Sequence, residues 1–534
     1  MENTDKMEIT KINTYLGQKG YTIPKNEISI EKQKQLRNDL TIKPVSHGAP
    51  PGGNSQVSFP AYRESSNKFY VPHYYGVENF GAPKEYKISE GVNIDLEFAG
   101  KLRENQEIVV DTYFNHVKKV GYGGGLLELP CAYGKTVLSL NIISRLKKKT
   151  FIIVHKEFLM NQWIERIQQF LPKARVGKIQ GPIVDIDDKD IVIGMLQSLS
   201  MKEYPTSTFE SFGLTIIDEV HHISSEVFSN SLFKLVTKYM LGLSATMNRK
   251  DGTTKVFKMF LGDVIFKGKR DEAREVVVHA IKYEVEDDEF NEVKLDFRGN
   301  PAYSTMISKL CEYNRRTEFI LKIVSDMLSV NPNQQIMILA QYKNILKYLH
   351  DAIAHRNIAT VGYYIGGMKE QALKATEGKK VVIATYAMAA EALDIKTLTT
   401  LIMATPKTDI EQSVGRILRE KHSSPVVVDI VDSHDLFQNQ WRKRKTFYKK
   451  ENYKIIYTDS VKYTPDTSKW LIVFNPSSCE TKKCVKKTPK NVSVKSNSSS
   501  DKSITNDSDE EIDEEPEKPK DKYLAGVCFL KIKK

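Results

Sequence analysis

Two short stretches hold residue types suited to phosphate chemistry. "PCAYGKT" offers Gly134 for close backbone approach, Lys135 as a cation that reaches outer phosphates, and Thr136 as a hydroxyl ligand for magnesium. Pro130, Cys131, Ala132 and Tyr133 complete a loop whose N–H groups could converge on an anion. The full G-x-x-x-x-G-K-T pattern fails, because Leu129 stands at its first glycine and Ala132 where such loops usually carry another. By itself the loop therefore also fits an ordinary strand-to-helix turn. About 80 residues further on, "LTIIDEVHH" sets Asp218 and Glu219 directly after an apolar run. Asp218 is placed to hold magnesium, Glu219 to orient or deprotonate an attacking water, and His221 to relay their state onward.

Such groups need a buried strand before them and a helix after them. "GGLLELP" runs apolar into the loop, and "TVLSLNIISRL" leaves it with Val137, Leu140, Ile143 and Leu146 at helical spacing. From about Leu96 to Arg270, "GGLLEL", "TFIIVH", "DIVIGM", "LTIID" and "YMLGLSA" alternate with helical patterns, which predicts βαβ units on a parallel sheet. The rhythm lapses over about 271–316 and returns in "QQIMILA", "ATVGYYI", "KKVVIAT", "TTLIMAT" and "PVVVDIV". Residues before about Gly91 read as irregular and turn-rich, with "FYVPHYYG" as an aromatic extended segment. Near the other end, blocks of like charge and serine predict disorder over about 478–522.

Composition narrows the classes. With 534 residues and 40% hydrophobic content the chain can form several cores, and five scattered cysteines exclude a disulfide scaffold. No run approaches the roughly 18 apolar residues of a membrane span, so a soluble intracellular protein without a membrane partner is expected. A net charge of +12 suits a polyanionic partner, although a lysine-rich solvated surface is the commoner explanation.

Two further stretches add to the site. Ser244, Ala245 and Thr246 in "GLSATM" leave the next apolar run and could couple the carboxylates to a second site. In "EQSVGRILRE", Gln412, Gly415, Arg416 and Arg419 form Q-x-x-G-R-x-x-R, with both arginines on one helical face and able to reach a γ-phosphate.

With these stretches in this order, the chain resembles a superfamily 2 helicase or translocase over about residues 96–435. "LPCAYGKT", "DEVHH" and the Gln-Trp segment "FLMNQWIERIQQF" are similar to the branch containing XPB, phage UvsW and restriction-enzyme motors. "KFYVPHYYG" further resembles helicases of large DNA viruses, including the poxvirus transcript-release type. The resemblance implies an α/β fold of two tandem RecA-like domains. An N-terminal accessory region (1–95), an ATP-binding domain (96–275), a connector (276–325), a second helicase domain (326–458) and a C-terminal extension (459–534) would follow in order.

It also implies ATP and magnesium as cofactors, and an adenine-reading Gln106 in "LRENQ". "ATYAMAAEALDI" would be the fifth motif, through Thr385, Glu391 and Asp394. Nucleic-acid contacts would fall on His155, Lys156, Gln197, Ser198, Gln341, Thr385 and Tyr386. The cluster Arg442, Lys443, Arg444 and Lys445 beside Trp441 and Phe447 fits either nucleic acid or a solvated face. Duplex or branched DNA is the expected substrate, with an RNA-directed, transcript-releasing ATPase as the alternative. Transcription or replication machinery would be the partner, in host cytoplasm or virion.

Overall fold

A computed structural model describes residues 12–44, 58–120, 123–130, 133–222, 225–247, 252–268, 275–391, 395–416 and 425–476. The stretch expected to be disordered, 478–522, lies outside them. No helix among the described residues is long and apolar enough to cross a membrane.

Two eight-stranded sheets dominate. In chain order the first comprises β8 (Leu126–Glu128), β9 (Thr150–Val154), β10 (Val176–Gln180), β11 (Ile183–Val184), β12 (Ile191–Met195), β13 (Leu214–Ile217), β14 (Tyr239–Ser244) and β15 (Val264–Lys267), which follow seven short strands of the N-terminal region. Its spatial order is β11-β10-β12-β9-β13-β14-β8-β15, parallel except at the β10/β11 edge. The strands are almost uninterrupted apolar runs because helices cover both faces. Along β9, Phe151 and Ile153 enter one core while Ile152 and Val154 enter the other, as a side-chain period of two requires.

The second sheet repeats this plan with β16 (Val277–Tyr283), β17 (Ile336–Ala340), β18 (Val361–Tyr364), β19 (Val381–Thr385), β20 (Thr400–Met403), β21 (Val426–Asp432), β22 (Lys454–Asp459) and β23 (Leu471–Phe474). The order is β18-β19-β17-β20-β21-β16-β22-β23, antiparallel only between β22 and β23. The stretch read as a connector is thus structured: β16 lies between β21 and β22 and pairs with both. Helices Tyr303–Glu312 and Asn314–Val330 follow it.

The N-terminal region is not irregular either. β1 (Tyr15–Gly17), β2 (Gly20–Pro24), β5 (Arg63–Glu64), β6 (Lys68–Val71) and β7 (Glu85–Tyr86) form a five-stranded sheet, and β3 (Thr41–Ile42) pairs with β4 (Phe59–Pro60). "FYVPHYYG" is extended only to Val71. Pro72 then caps helix His73–Phe80, where its missing N–H has no consequence. Leu16, Tyr21, Phe69 and Val71 of this sheet share one core with Phe228, Phe233, Phe257 and Phe260 of the first large unit.

Candidate active site

In an open parallel sheet, ligands gather beyond the carboxyl ends of the strands. Here β13, β14 and β8 are neighbours, so the carboxylates, the Ser-Ala-Thr stretch and the phosphate-type loop emerge side by side. With strands about 4.8 Å apart, the first and last of these exits lie only about 10 Å from each other.

Gly134 opens helix Lys135–Leu146 in the left-handed region, at φ +88°. The left-handed backbone demands glycine, and a Cβ there, 2.3 Å from Gln106 Nε2, would also displace the end of that side chain. Gln106, 3% exposed, donates from Nε2 to the Tyr133 carbonyl at 2.9 Å and accepts the Arg103 N–H on Oε1 at 3.0 Å. Arg103 also donates to the Tyr133 carbonyl, at 2.6 Å. Gln106 therefore braces the loop from behind. Pro130 is described, whereas Cys131 and Ala132 lie outside the described residues. Thr136 stands half-buried in the first turn of the helix.

Lys135 Nζ donates to Glu219 Oε1 at 2.6 Å, joining the two stretches across β14. Glu219 is held at φ +50°, a conformation uncommon outside glycine and costing of order 1 kcal/mol, the kind of strain that concentrates at functional sites. Asp218, 7% exposed, accepts the Glu219 N–H on Oδ1 at 3.0 Å and the Trp163 indole N–H on Oδ2 at 2.9 Å. Burial and the adjacent Glu219 carboxylate push Asp218 up to about 6, against the pull of Lys135 and those two donors.

The Ser-Ala-Thr stretch joins the same group of contacts. Ser244 Oγ lies 2.7 Å from His221 Nδ1 and donates its proton to the Thr246 carbonyl. The same Nδ1 is 3.4 Å from Glu219 Oε2, so a chain of contacts runs from Lys135 through Glu219 and His221 to Ser244. Ala245 is buried beside it.

A magnesium ion fits this donor set. The available atoms are hard oxygens, the Asp218 carboxylate and the Thr136 hydroxyl, and each Asp218 oxygen keeps a lone pair beyond its single N–H partner. Among the described residues no three or more His, Cys, Asp and Glu gather to hold a metal.

The remaining sequence candidates divide. His155 follows β9, and its carbonyl accepts from Gln197 Nε2 at 3.0 Å; the Ser198 hydroxyl accepts the Gly181 N–H at 2.9 Å. Burial lowers the Lys156 ammonium from its usual value. In the second unit, Gln341 follows β17 and Thr385 ends β19, where its hydroxyl accepts the Met388 N–H. Tyr386 is buried and donates to the Thr405 carbonyl, so its ring belongs to the core and not to a strand-binding surface.

Arg444 requires the same correction. It is 1% exposed and holds Asp429 through two bonds of 2.7 and 2.8 Å, leaving Arg442 and Lys443 as the exposed cations of that cluster. Gln412 and Arg416 belong to helix Glu411–Arg416, and Glu391 ends helix Tyr386–Glu391; the placement of those three side chains is not described. Asp394 and Arg419 lie outside the described residues. Sequence reasoning missed the part played by Trp163. The signal was its place on the buried stripe Leu159, Met160, Trp163 and Ile167, with an N–H that needs a buried acceptor.

Residues 99–249 match the family described as Type III restriction enzyme, res subunit, and residues 318–421 match the Helicase conserved C-terminal domain. The chain is 35% identical over 474 residues to "Putative ATP-dependent RNA helicase L396" of Acanthamoeba polyphaga mimivirus, covering 85% of this chain and 87% of that one. QP509L of African swine fever virus (isolate Pig/Kenya/KEN-50/1950), under the same description, is 27% identical over 381 residues, 66% of this chain and 74% of its own. Among solved structures, T4 UvsW aligns over 81% of this chain and 96% of its own at 16% identity, with a TM-score of 0.31 that adds nothing to the sheet orders above.

Proposed function

This chain belongs to the superfamily 2 helicases of the large-DNA-virus type, and from that premise we propose that its motor works on duplex or branched DNA. It is an ATP-dependent nucleic-acid helicase or translocase. Residues 96–275 would bind nucleotide and 326–458 would supply the completing arginines, with 1–95 as an accessory region, 276–325 between the two and 459–534 as an extension.

The observation that carries the site assignment is the Lys135–Glu219 contact beside Asp218. Phosphoryl transfer needs charge neutralisation, an oriented water and little else. Lys135 would exchange Glu219 for an outer phosphate, which releases Glu219 to orient the attacking water. Magnesium, when bound, screens the phosphate charge, with Thr136 and Asp218 as its protein ligands. Gln106 keeps one N–H and one lone pair for a base edge. Gln412, Arg416 and Arg419 would approach the γ-phosphate from the second unit, with Asp394 on the nucleotide side. The Ser244 chain would report the state of Glu219 to the strand bound near His155, Gln197, Ser198, Gln341 and Thr385.

The Gln-Trp segment and "DEVHH" support the DNA reading, through their likeness to the XPB and UvsW branch. The printed names of L396 and QP509L, each "Putative ATP-dependent RNA helicase", favour the second reading, a transcript-directed ATPase working with transcription machinery. Those viral relatives also support a setting in infected cytoplasm or virion. ATP hydrolysis measured near physiological ionic strength with duplex DNA, forked DNA, single-stranded DNA and RNA of equal length separates the two, because nonspecific phosphate contacts weaken there. Forked or duplex DNA should stimulate most. RNA as the strongest stimulator would transfer the assignment to the second reading.

A further inference from the structure

None of the steps above uses the Gln-Trp segment, although its tryptophan touches the site. Helix Glu157–Phe170 buries Leu159, Met160, Trp163 and Ile167 against the first sheet, and Trp163 is only 1% exposed. A buried indole N–H requires an acceptor. Here that acceptor is Asp218 Oδ2 at 2.9 Å, while the Glu219 N–H holds Oδ1 at 3.0 Å. One donor on each oxygen fixes the plane of the carboxylate as well as its position.

The chemistry of the donor matters. An arginine or lysine in this place would hold the carboxylate equally firmly, but its charge would neutralise the acid and repel a divalent cation. An indole has one N–H, no acceptor and no charge, so it orients the carboxylate and leaves its negative charge for a metal. We infer that Trp163 is a positioning residue for magnesium binding, setting the orientation in which Asp218 meets the ion. The inference rests on the proposed reading of Asp218 as the magnesium-side carboxylate. Outer partners of metal ligands typically contribute about 10–100-fold to metal affinity.

The test is binding of a fluorescent ADP analogue to the full chain at fixed pH, with magnesium titrated from zero. Trp163→Phe keeps an aromatic ring but removes the donor. It should bind nucleotide in EDTA within about twofold of the parent, while its magnesium midpoint rises about tenfold or more. Ile167→Val trims the same buried face without touching Asp218 and should keep the parental midpoint, which separates positioning from packing. Should Trp163→Phe fail to fold, 3-benzothienylalanine at position 163, with sulfur in place of N–H, preserves the shape and should show the same rise. A folded variant lacking the donor whose midpoint stays within about twofold of the parent overturns the inference. A parent whose nucleotide affinity does not respond to magnesium overturns the reading of Asp218 itself.

Discussion

The first sheet carries a lysine–carboxylate pair at its strand ends, whereas the second buries two arginine–aspartate pairs on a single strand. Lys135 and Glu219 share one bond, and their side chains are 13% and 22% exposed. On β21, Asp429 and Asp432 are wholly buried. Arg444 grips Asp429 from the side of helix Asp435–Lys450, and Arg316 grips Asp432 through two bonds and also donates to the Ala404 carbonyl. The planar fork of arginine makes each buried pair bidentate, which suits a contact that never opens. A single-point lysine contact near water can exchange its partner, as the proposed role of Lys135 requires. The contrast separates ions locked inside the fold from a pair that sits at strand ends within reach of solvent.

The largest effect should come from breaking a buried pair. Arg316→Ala or Arg444→Ala strands a carboxylate in the core and should lower unfolding free energy by about 3–5 kcal/mol in urea denaturation. A loss under about 1 kcal/mol would mean that these pairs resemble Lys135–Glu219 after all. Next, Lys135→Ala should reduce ATP hydrolysis by roughly a thousandfold while leaving the urea midpoint near the parent's. Glu219→Gln should still bind nucleotide and stall turnover, so steady-state rates and nucleotide binding measured together would expose a wrong assignment.

Asp218 sharpens the contrast further, because its charge is buried without a bidentate cation. Its native pKa of about 6 lies above the ordinary 3.8, so the folded state takes up the proton first. The group therefore destabilises the metal-free protein progressively as pH rises from about 4 to 6, and the penalty is complete at pH 7. Asp218→Asn should relieve it, raising metal-free stability at pH 7 by about 1–3 kcal/mol while abolishing magnesium-dependent hydrolysis. A thermal midpoint that falls, or a gain that persists at pH 4, would contradict this. The smallest effect belongs to Lys374 and Glu165, 58% and 57% exposed at 3.0 Å, where alanine at either position should change stability by at most about 1 kcal/mol and by less in high salt.

Much of this site could be read in the sequence, because strand-ending loops announce themselves as apolar runs closed by polar chemistry. β8, β13 and β14 each end where "LPCAYGKT", "DEVHH" and "SAT" begin. What escaped depends on distant partners. β16 stands in charged surroundings, and the strands on either side of it arrive about 140 residues or more later. The N-terminal strands are two to five residues long, too short for a periodic signal. Arg444, by contrast, was legible: Phe437, Trp441, Arg444 and Tyr448 recur at helical spacing on one buried face, so the basic run always contained an inward-facing member.

The shared core of the N-terminal sheet bears on how the protein is made. Tyr21, Phe69 and Val71 leave the ribosome before Phe228, Phe257 and Phe260, the residues whose core they share. At about 5–20 residues per second, those partners emerge roughly 10–40 s later. During synthesis the nascent chain therefore presents an unfinished apolar face that a holdase chaperone would cover. A fragment beginning at residue 96 would expose the complementary face of Phe228, Phe233 and Phe260 throughout its lifetime, so trimming the accessory region would turn a folding intermediate into the final product.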